Sequence, residues 1–418
     1  MDHKTKGAWI IHHGRKISGT DLGAASYPTI DIAAKSGSLL ARMAASDGTT
    51  LSKEMVQTLA KAGGLSTKTD LPACLSLLQD QKVIDVSASG GVAVIGITAS
   101  SALDHTTSLF EQNGPEQLEQ AALALGELVS QAPIDKKTAS EKISDEFKIA
   151  TPDVADFLSQ SAQLGFIESD DDGANPLLFN GNLFRRDTVG KTKRVLDSLT
   201  GAEQAAFVEF ENRLKSSGAL SITEATRIFG DPLLSKLRAA AVFDENIVSN
   251  EAGDHSFITS PGAFHKFANP MVDDTFDHAK ALVAALSYGI YSSTATRGQI
   301  WGVDLLLRKL LRGYEVGPAP AIGKDYRALE LERVVEIRQE SGKFYLKLLK
   351  TQVGEIALQV LQHGNAAASA LDHMPSAQVT GYTGPDKARS MFRKRKDVQP
   401  TKAQMRSLLS SVRSGGGL

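Results

Sequence analysis

Cysteine is almost missing from the sequence: Cys74 stands alone, inside an apolar helical pattern. That excludes an intrachain disulfide and a thiolate metal site. Aromatic residues are sparse at 6%, while Ala, Leu and Ser are frequent, which leans the chain towards helix. No run approaches the roughly 18 apolar residues that a membrane helix needs, so a membrane partner is not expected. The first residues, MDHKTKGAWIIHHGRK, hold only a short apolar run and no small-residue cleavage site, so a secretory signal is not expected and the cytoplasm is the expected location. Catalytic motifs are missing as well. There is no GxxxxGK[ST] loop, no GxGxxG after a strand, no HExxH, no GxSxG, and no Asp followed by ExK in a strand context. The histidines are scattered and pair with no nucleophile. The expectation is a protein that is not an enzyme and uses no cofactor.

What is present is length and an uneven charge. At 418 residues and 44.5 kDa the chain is too long for one small core. Its 42% hydrophobic and 22% charged content is ordinary for a globular protein. The net charge of −2 conceals an asymmetry. Residues 281–418 hold 20 Lys and Arg against 11 Asp and Glu, a balance of +9, and residues 1–280 hold 26 against 37, a balance of −11. Polyanion contact therefore belongs to the last third, and the acidic first two-thirds is suited to a protein partner.

The most informative stretch is Gly317 to Lys350. Ile322, Tyr326 and Leu329 sit at helical spacing. Two alternating runs follow, Val334 to Arg338 and Phe344 to Leu349, joined by the turn Gln339-Glu340-Ser341-Gly342. The same outline, helices followed by a hairpin, recurs upstream. In residues 30–100 it reads Ile30 to Ala45, Leu51 to Ala62, a third helix from Ser66 through Leu78, then strands Lys82 to Val86 and Val92 to Ile97. In 115–180 it reads Gln117 to Gln131, Lys136 to Phe147, Thr151 to Leu164, then Phe166 to Glu168 and Leu177 to Phe179 around Asp170-Asp171-Asp172-Gly173. An EF-hand would need Glu where Phe179 stands, so this is read as an acidic turn. In 201–265 it reads Ala202 to Ser216, Ile222 to Phe229, Pro232 to Ala241, then Phe243 to Val248 and Ser256 to Thr259. The last copy, 273–350, adds Phe276 to Tyr288 and Gln299 to Arg312 ahead of the opening stretch.

The pieces between are an N-terminal arm, 1–29, a basic linker, 181–200, and a C-terminal segment, 351–418. In the arm, Ala8 to His12 reads as a strand, which places His12 and His13 on opposite faces, and a structural role is favoured over a metal or catalytic one. Asp273, Asp274, Asp277 and His278 are read as the acidic start of a helix rather than a metal cluster. Val353 to Leu361 is a packing or dimerisation helix, which makes a second copy a candidate partner. Ala366 to Tyr382 is loop-like, and Arg393-Lys394-Arg395-Lys396 lies in a final helical segment.

Helices followed by a tight hairpin, repeated four times, resemble tandem winged helix-turn-helix proteins. The fold class expected is mainly α with short β-hairpins, α+β. The resemblance implies a non-enzymatic, bacterial-type DNA-binding protein, a transcriptional regulator or an architectural protein. It also leaves open an adaptor in a multi-protein DNA-processing or phage-defence complex. In a winged helix the third helix enters the major groove of double-stranded DNA and the wing touches the backbone. For the last copy that implies Lys324 and Arg327 on the third helix, Arg338 and Lys343 at the wing, and Arg308, Lys309 and Arg312 on the helix before. Arg393, Lys394, Arg395 and Lys396 would add phosphate contacts. The alternative for these cations is a solvated face, or pairing with Glu330, Glu332 and Glu336. The third helix of the first copy offers a weaker set, Ser66, Thr67, Lys68 and Thr69.

Overall fold

The computed structural model describes residues 1–18, 21–46, 50–98, 101–170, 176–267 and 273–370. It is mostly helical, with small antiparallel sheets of two or three strands, an α+β architecture.

The chain begins with α1 (His3–Ile17), α2 (Asp21–Ser26) and α3 (Pro28–Ala44). The strand expected over Ala8 to His12 is therefore part of a helix. Asp2 starts it, its carboxylate accepting from the Thr5 N–H at 2.9 Å. Every residue from Gly7 to Gly14 is buried, because α3, α6 (Ser101–Gln112), α7 (Gln117–Gln131) and the turn at Ala367–Ala370 surround α1. A helix buried on all sides shows no amphipathic period, and its short apolar run reads equally well as a strand. Close approach is what packs α1, α3 and α6 together. A Cβ on Gly7 would lie 2.2 Å from the Leu103 carbonyl oxygen, and one on Gly37 would lie 2.0 Å from Thr106 Oγ1.

Between α3 and α6 lie α4 (Lys53–Ala62), α5 (Asp70–Asp80) and the pair β1 (Ile84–Val86) and β2 (Val92–Val94). Leu51 bridges to Val92 just ahead of α4. After α7 come β3 (Ile134–Asp135), α8 (Lys136–Phe147), α9 (Thr151–Leu164), β4 (Glu168–Asp170) and β5 (Leu177–Phe179), with strand order β3-β5-β4. The three helices begin and end where their sequence pattern places them. Pro152 sits in the first turn of α9, and Gly165 closes it at a left-handed φ of 75°. Of the acidic turn at 170–173, residues 171–173 lie outside the described residues.

The basic linker forms α10 (Arg186–Asp197). It is followed by α11 (Gly201–Ser217), β6 (Leu220–Ser221), α12 (Ile222–Ala239), β7 (Asp244–Asn250) and β8 (Gly253–Thr259), with strand order β6-β8-β7. Thr200 and Glu203 form a capping box at α11. Gly230, at φ 70° and ψ 160°, breaks α12 ahead of Pro232, so the two helices expected there are present on either side of a kink.

The last part contains α13 (Pro261–Phe264), α14 (Asp273–Tyr291), α15 (Val303–Leu311), α16 (Ile322–Asp325), α17 (Arg327–Leu331), β9 (Val335–Glu340), β10 (Lys343–Leu348) and α18 (Thr351–His363). Two differences from expectation stand out. The helix read from Gln299 starts at Val303, because the Ile300 N–H bonds the Gly289 carbonyl (3.0 Å) and holds 299–300 outside the helix, against α14. The third helix is two single turns, interrupted at Tyr326 (φ −109°, ψ 8°). The bridge Val316–Leu346 follows α15, whereas the Leu51–Val92 bridge, β3 and β6 precede α4, α8 and α12. Ser341 and Gly342, at φ 48° and 74°, make a two-residue hairpin turn. α18 buries Val353, Ile356, Ala357 and Val360 inside the chain against α14 and α15, so it is a packing helix here.

Three apolar interiors result. One runs from α1 to β5 and takes in Phe267, Ala367 and Ala368, so the segments 30–100 and 115–180, expected as separate units, share one core with α1. A second lies within 199–258, and a third joins α14, α15, β9, β10 and α18. Among the described residues no helix is long and apolar enough to cross a membrane.

Candidate nucleic-acid interface

α15 is amphipathic, and its two faces have separate duties. Leu307 and Leu310 are buried, with Val303 and Leu306 half-buried beside them against α18 and β10. Gln362 of α18 donates to Asp304 at 2.8 Å. Leu305, Arg308, Lys309 and Arg312 fall on the opposite side at i, i+3, i+4 and i+7 spacing, and all four are exposed. Among the described residues no carboxylate pairs with Arg308, Lys309 or Arg312. Two of these cations stand in the last turn, where the helix dipole favours positive charge.

The other expected residues are arranged differently. Arg338 projects from β9, where its Nη2 and Nε donate to Glu315 at 2.7 and 3.0 Å and its Nη1 to Glu340. Its guanidinium also lies 4.6 Å from the Tyr345 ring centre, across the strand pair. The charge is matched twice over, and the Glu315 carboxyl is held below its usual range by these bonds. The partners are Glu315 and Glu340, not Glu330, Glu332 or Glu336. Glu330 instead accepts from the Ile337 N–H at 3.1 Å, and Glu332 lies 3.6 Å from His278. Lys343 is exposed at the start of β10. Lys324 and Arg327 are exposed, with the Arg327 Nε donating to the Gly323 carbonyl at 3.0 Å.

Beside Lys324 sits a cluster that the sequence reading missed. Asp325 is buried to 1% side-chain exposure and takes a two-pronged contact from Arg297, at 2.6 and 2.5 Å. Asn250, at the tip of the β7–β8 hairpin, donates to the same carboxylate at 3.0 Å, and Glu251 accepts from Arg297 Nε at 3.1 Å. The β7–β8 hairpin is thereby fastened to α16. A signal was available: Ile322, Asp325, Tyr326 and Leu329 share the i, i+3, i+4, i+7 stripe, which puts an acid on a buried face and calls for a cation.

Asp277 pairs with Lys280 at 3.2 Å and lies 3.7 Å from His265, while His278 faces Lys350 and Glu332. His12 and His13 are both buried in α1, their Nδ1 atoms 3.3 Å apart, with His13 Nε2 3.0 Å from the Ala122 carbonyl. That carbonyl needs the proton on His13 Nε2, which leaves His13 Nδ1 to accept from His12. Burial pushes the pKa of both down, His13 to about 4, so the pair is neutral near pH 7. Arg393, Lys394, Arg395 and Lys396 lie outside the described residues. Comparison of the chain with protein families, with curated proteins and with solved structures gives no match.

Proposed function

We propose that the chain is a non-enzymatic DNA-binding protein of the cytoplasm, built from repeated winged-helix units and holding DNA through its last third. The order helix, short strand, helix, helix, hairpin in α7–β5 and α11–β8 supports the winged-helix reading, with the short strand added to the far side of the hairpin's second strand. The observation that carries the DNA reading is the exposed row Arg308, Lys309 and Arg312, three cations on one helix face that pair with no carboxylate among the described residues. A phosphate backbone neutralises such a row and releases its counterions.

Binding to duplex DNA should be measured at several salt concentrations. Replacing all three by Ala should weaken binding and reduce the slope of log K against log salt by up to about 2.7, at about 0.9 per lost contact. Lys324→Ala with Arg327→Ala should cost less, since Glu251 borders that surface. No binding at low salt would refute the reading.

An adaptor role is favoured by a different observation. The β7–β8 hairpin carries Asp244, Glu245, Glu251 and Asp254 and no Lys or Arg of its own, and three of these acids pair with Lys280, Arg238 and Arg297 from other segments, so it offers a phosphate little attraction. Such a unit serves better as a docking surface for a protein.

A further inference from the structure

The third helix of the last copy is unsuited to a major groove. α16 has four residues and α17 five, and α16 is fastened from outside by Asn250 and Arg297. Groove readers present a continuous helix or ribbon to the base edges. What this region does present is an aromatic ring. Trp301, just ahead of the Gly302 cap of α15, is 83% exposed, and Leu305 one turn along is 76% exposed. An apolar residue at that position ordinarily folds down on the helix's fourth residue, here Leu306. Leu306 faces the interior instead, and Trp301 stands clear. The backbone carrying it is held: the Ile300 N–H bonds the Gly289 carbonyl at 3.0 Å, and the Gln299 side chain bonds the Ile290 carbonyl at 3.3 Å. The ring is thus exposed on a fixed support, which limits the ordering cost of stacking on it.

We propose that Trp301 stacks on an unpaired nucleobase, so that the nucleic acid held by α15 carries a single-stranded segment beside the phosphates gripped by Arg308, Lys309 and Arg312. This rests on the DNA reading above. At 1.5 Å per residue, Arg308 and Lys309 lie about 5 Å beyond Leu305 along the axis, and Arg312 about 10 Å. Tyr314, 61% exposed, follows at the far end of the row. Aromatic platforms alternating with cations are how single strands are held, because every base offers a π-face and every nucleotide a phosphate. The cations also favour this occupant over an apolar peptide segment, which would leave their charge unmatched.

The chain's two tryptophans make the test direct. Trp9 is fully buried in the first core and Trp301 is exposed, so ligand-dependent quenching of fluorescence reports Trp301. The full-length protein is titrated with a blunt duplex, the same duplex bearing a thymidine overhang, and a short oligothymidine. The overhang should bind roughly ten-fold more tightly than the blunt duplex and quench the emission, on the scale of one base–aromatic stack. Trp301→Ala should bring the overhang down to the blunt affinity with an unchanged circular dichroism spectrum, and Trp301→Phe should keep part of the preference. Equal binding of blunt and overhang DNA, indifferent to Trp301→Ala but weakened by loss of the three cations, would overturn the stacking and leave the DNA reading standing. Binding of no nucleic acid at low salt would overturn both. Quenching by an acidic, tyrosine-containing polypeptide and by no nucleic acid would assign this face to a protein.

Discussion

Removing the Glu119 carboxylate should unfasten two helices at once. Glu119 is fully buried in the first turn of α7. One oxygen accepts from the backbone N–H groups of Thr29 and Ile30, at 2.7 and 3.0 Å, and the other from Glu116 at 3.0 Å. The N-cap residue of α3, Tyr27, makes no side-chain cap, so a residue 90 positions away supplies it. Two helix N-termini thus converge on one carboxylate, and their dipoles offset the desolvation of its charge. Glu119→Ala leaves three inward N–H groups without an acceptor. At about 1–3 kcal/mol for each orphaned donor, reduced by water entering the gap, the loss should be about 3–5 kcal/mol. For a core of this size that lowers the melting temperature by about 10 °C. Urea unfolding followed by tryptophan emission reads this core selectively, since Trp9 lies inside it and Trp301 is already in solvent. Glu119→Gln keeps an acceptor on one side only and should fall between. A Glu119→Ala unfolding free energy within about 1 kcal/mol of the parent's would refute the three orphaned donors as the source of the loss.

Two further perturbations follow from buried polar groups. His12 and His13 both have folded pKa values below the ordinary 6.5, so their contribution to stability is complete above that pH and is lost as pH falls towards about 4. At 1.36 kcal/mol per unit, His13 alone should remove about 3 kcal/mol over that window, and His13→Gln should flatten the pH dependence of the urea midpoint. Midpoints unchanged between neutral and mildly acid pH would contradict the buried neutral pair. Arg297→Met, which strands Asp325 with only Asn250, should cost about 3–5 kcal/mol. Adding Asp325→Asn should recover part of that loss in a double-mutant cycle, and strict additivity would mean the pair is uncoupled.

Legibility followed the way each segment is buried. α7 to α9 and α11 to α12 could be read because their boundaries carry local signals, such as Pro152, Gly165, the Thr200–Glu203 box and the Gly230–Pro232 break. Their one-sided burial also leaves the helical period intact. α1 has an N-cap signal at Asp2, but its all-round burial erased the period and made Ala8 to His12 look like a strand. The row on α15 was legible as charge on one helix face. The pairing of Arg338 with Glu315 was not, because Glu315 is 23 residues away and joins it only once β9 is in place. The fastening of α16 depended in the same way on Asn250, 75 residues from Asp325. Pairing across such separations is a property of the packing.

Charge sorting decides where a polyanion can settle on this surface. Of the balance of +9 in residues 281–418, the described part, 281–370, holds 11 Lys and Arg against 8 Asp and Glu, a balance of only +3. Two of its arginines, Arg297 and Arg338, are each engaged with two carboxylates. A phosphate approaching α16 or the β9–β10 hairpin therefore meets Glu251, Glu315 and Glu340 along with the cations there, and attraction is offset by repulsion within a Debye length of about 8–10 Å. On α15 itself the one acid is Asp304, and Gln362 donates to it, while among the described residues no carboxylate pairs with Arg308, Lys309 or Arg312. A small net charge thus becomes a directional one: the acids gather around α16 and the β9–β10 hairpin, and the cations that pair with no carboxylate among the described residues gather on α15.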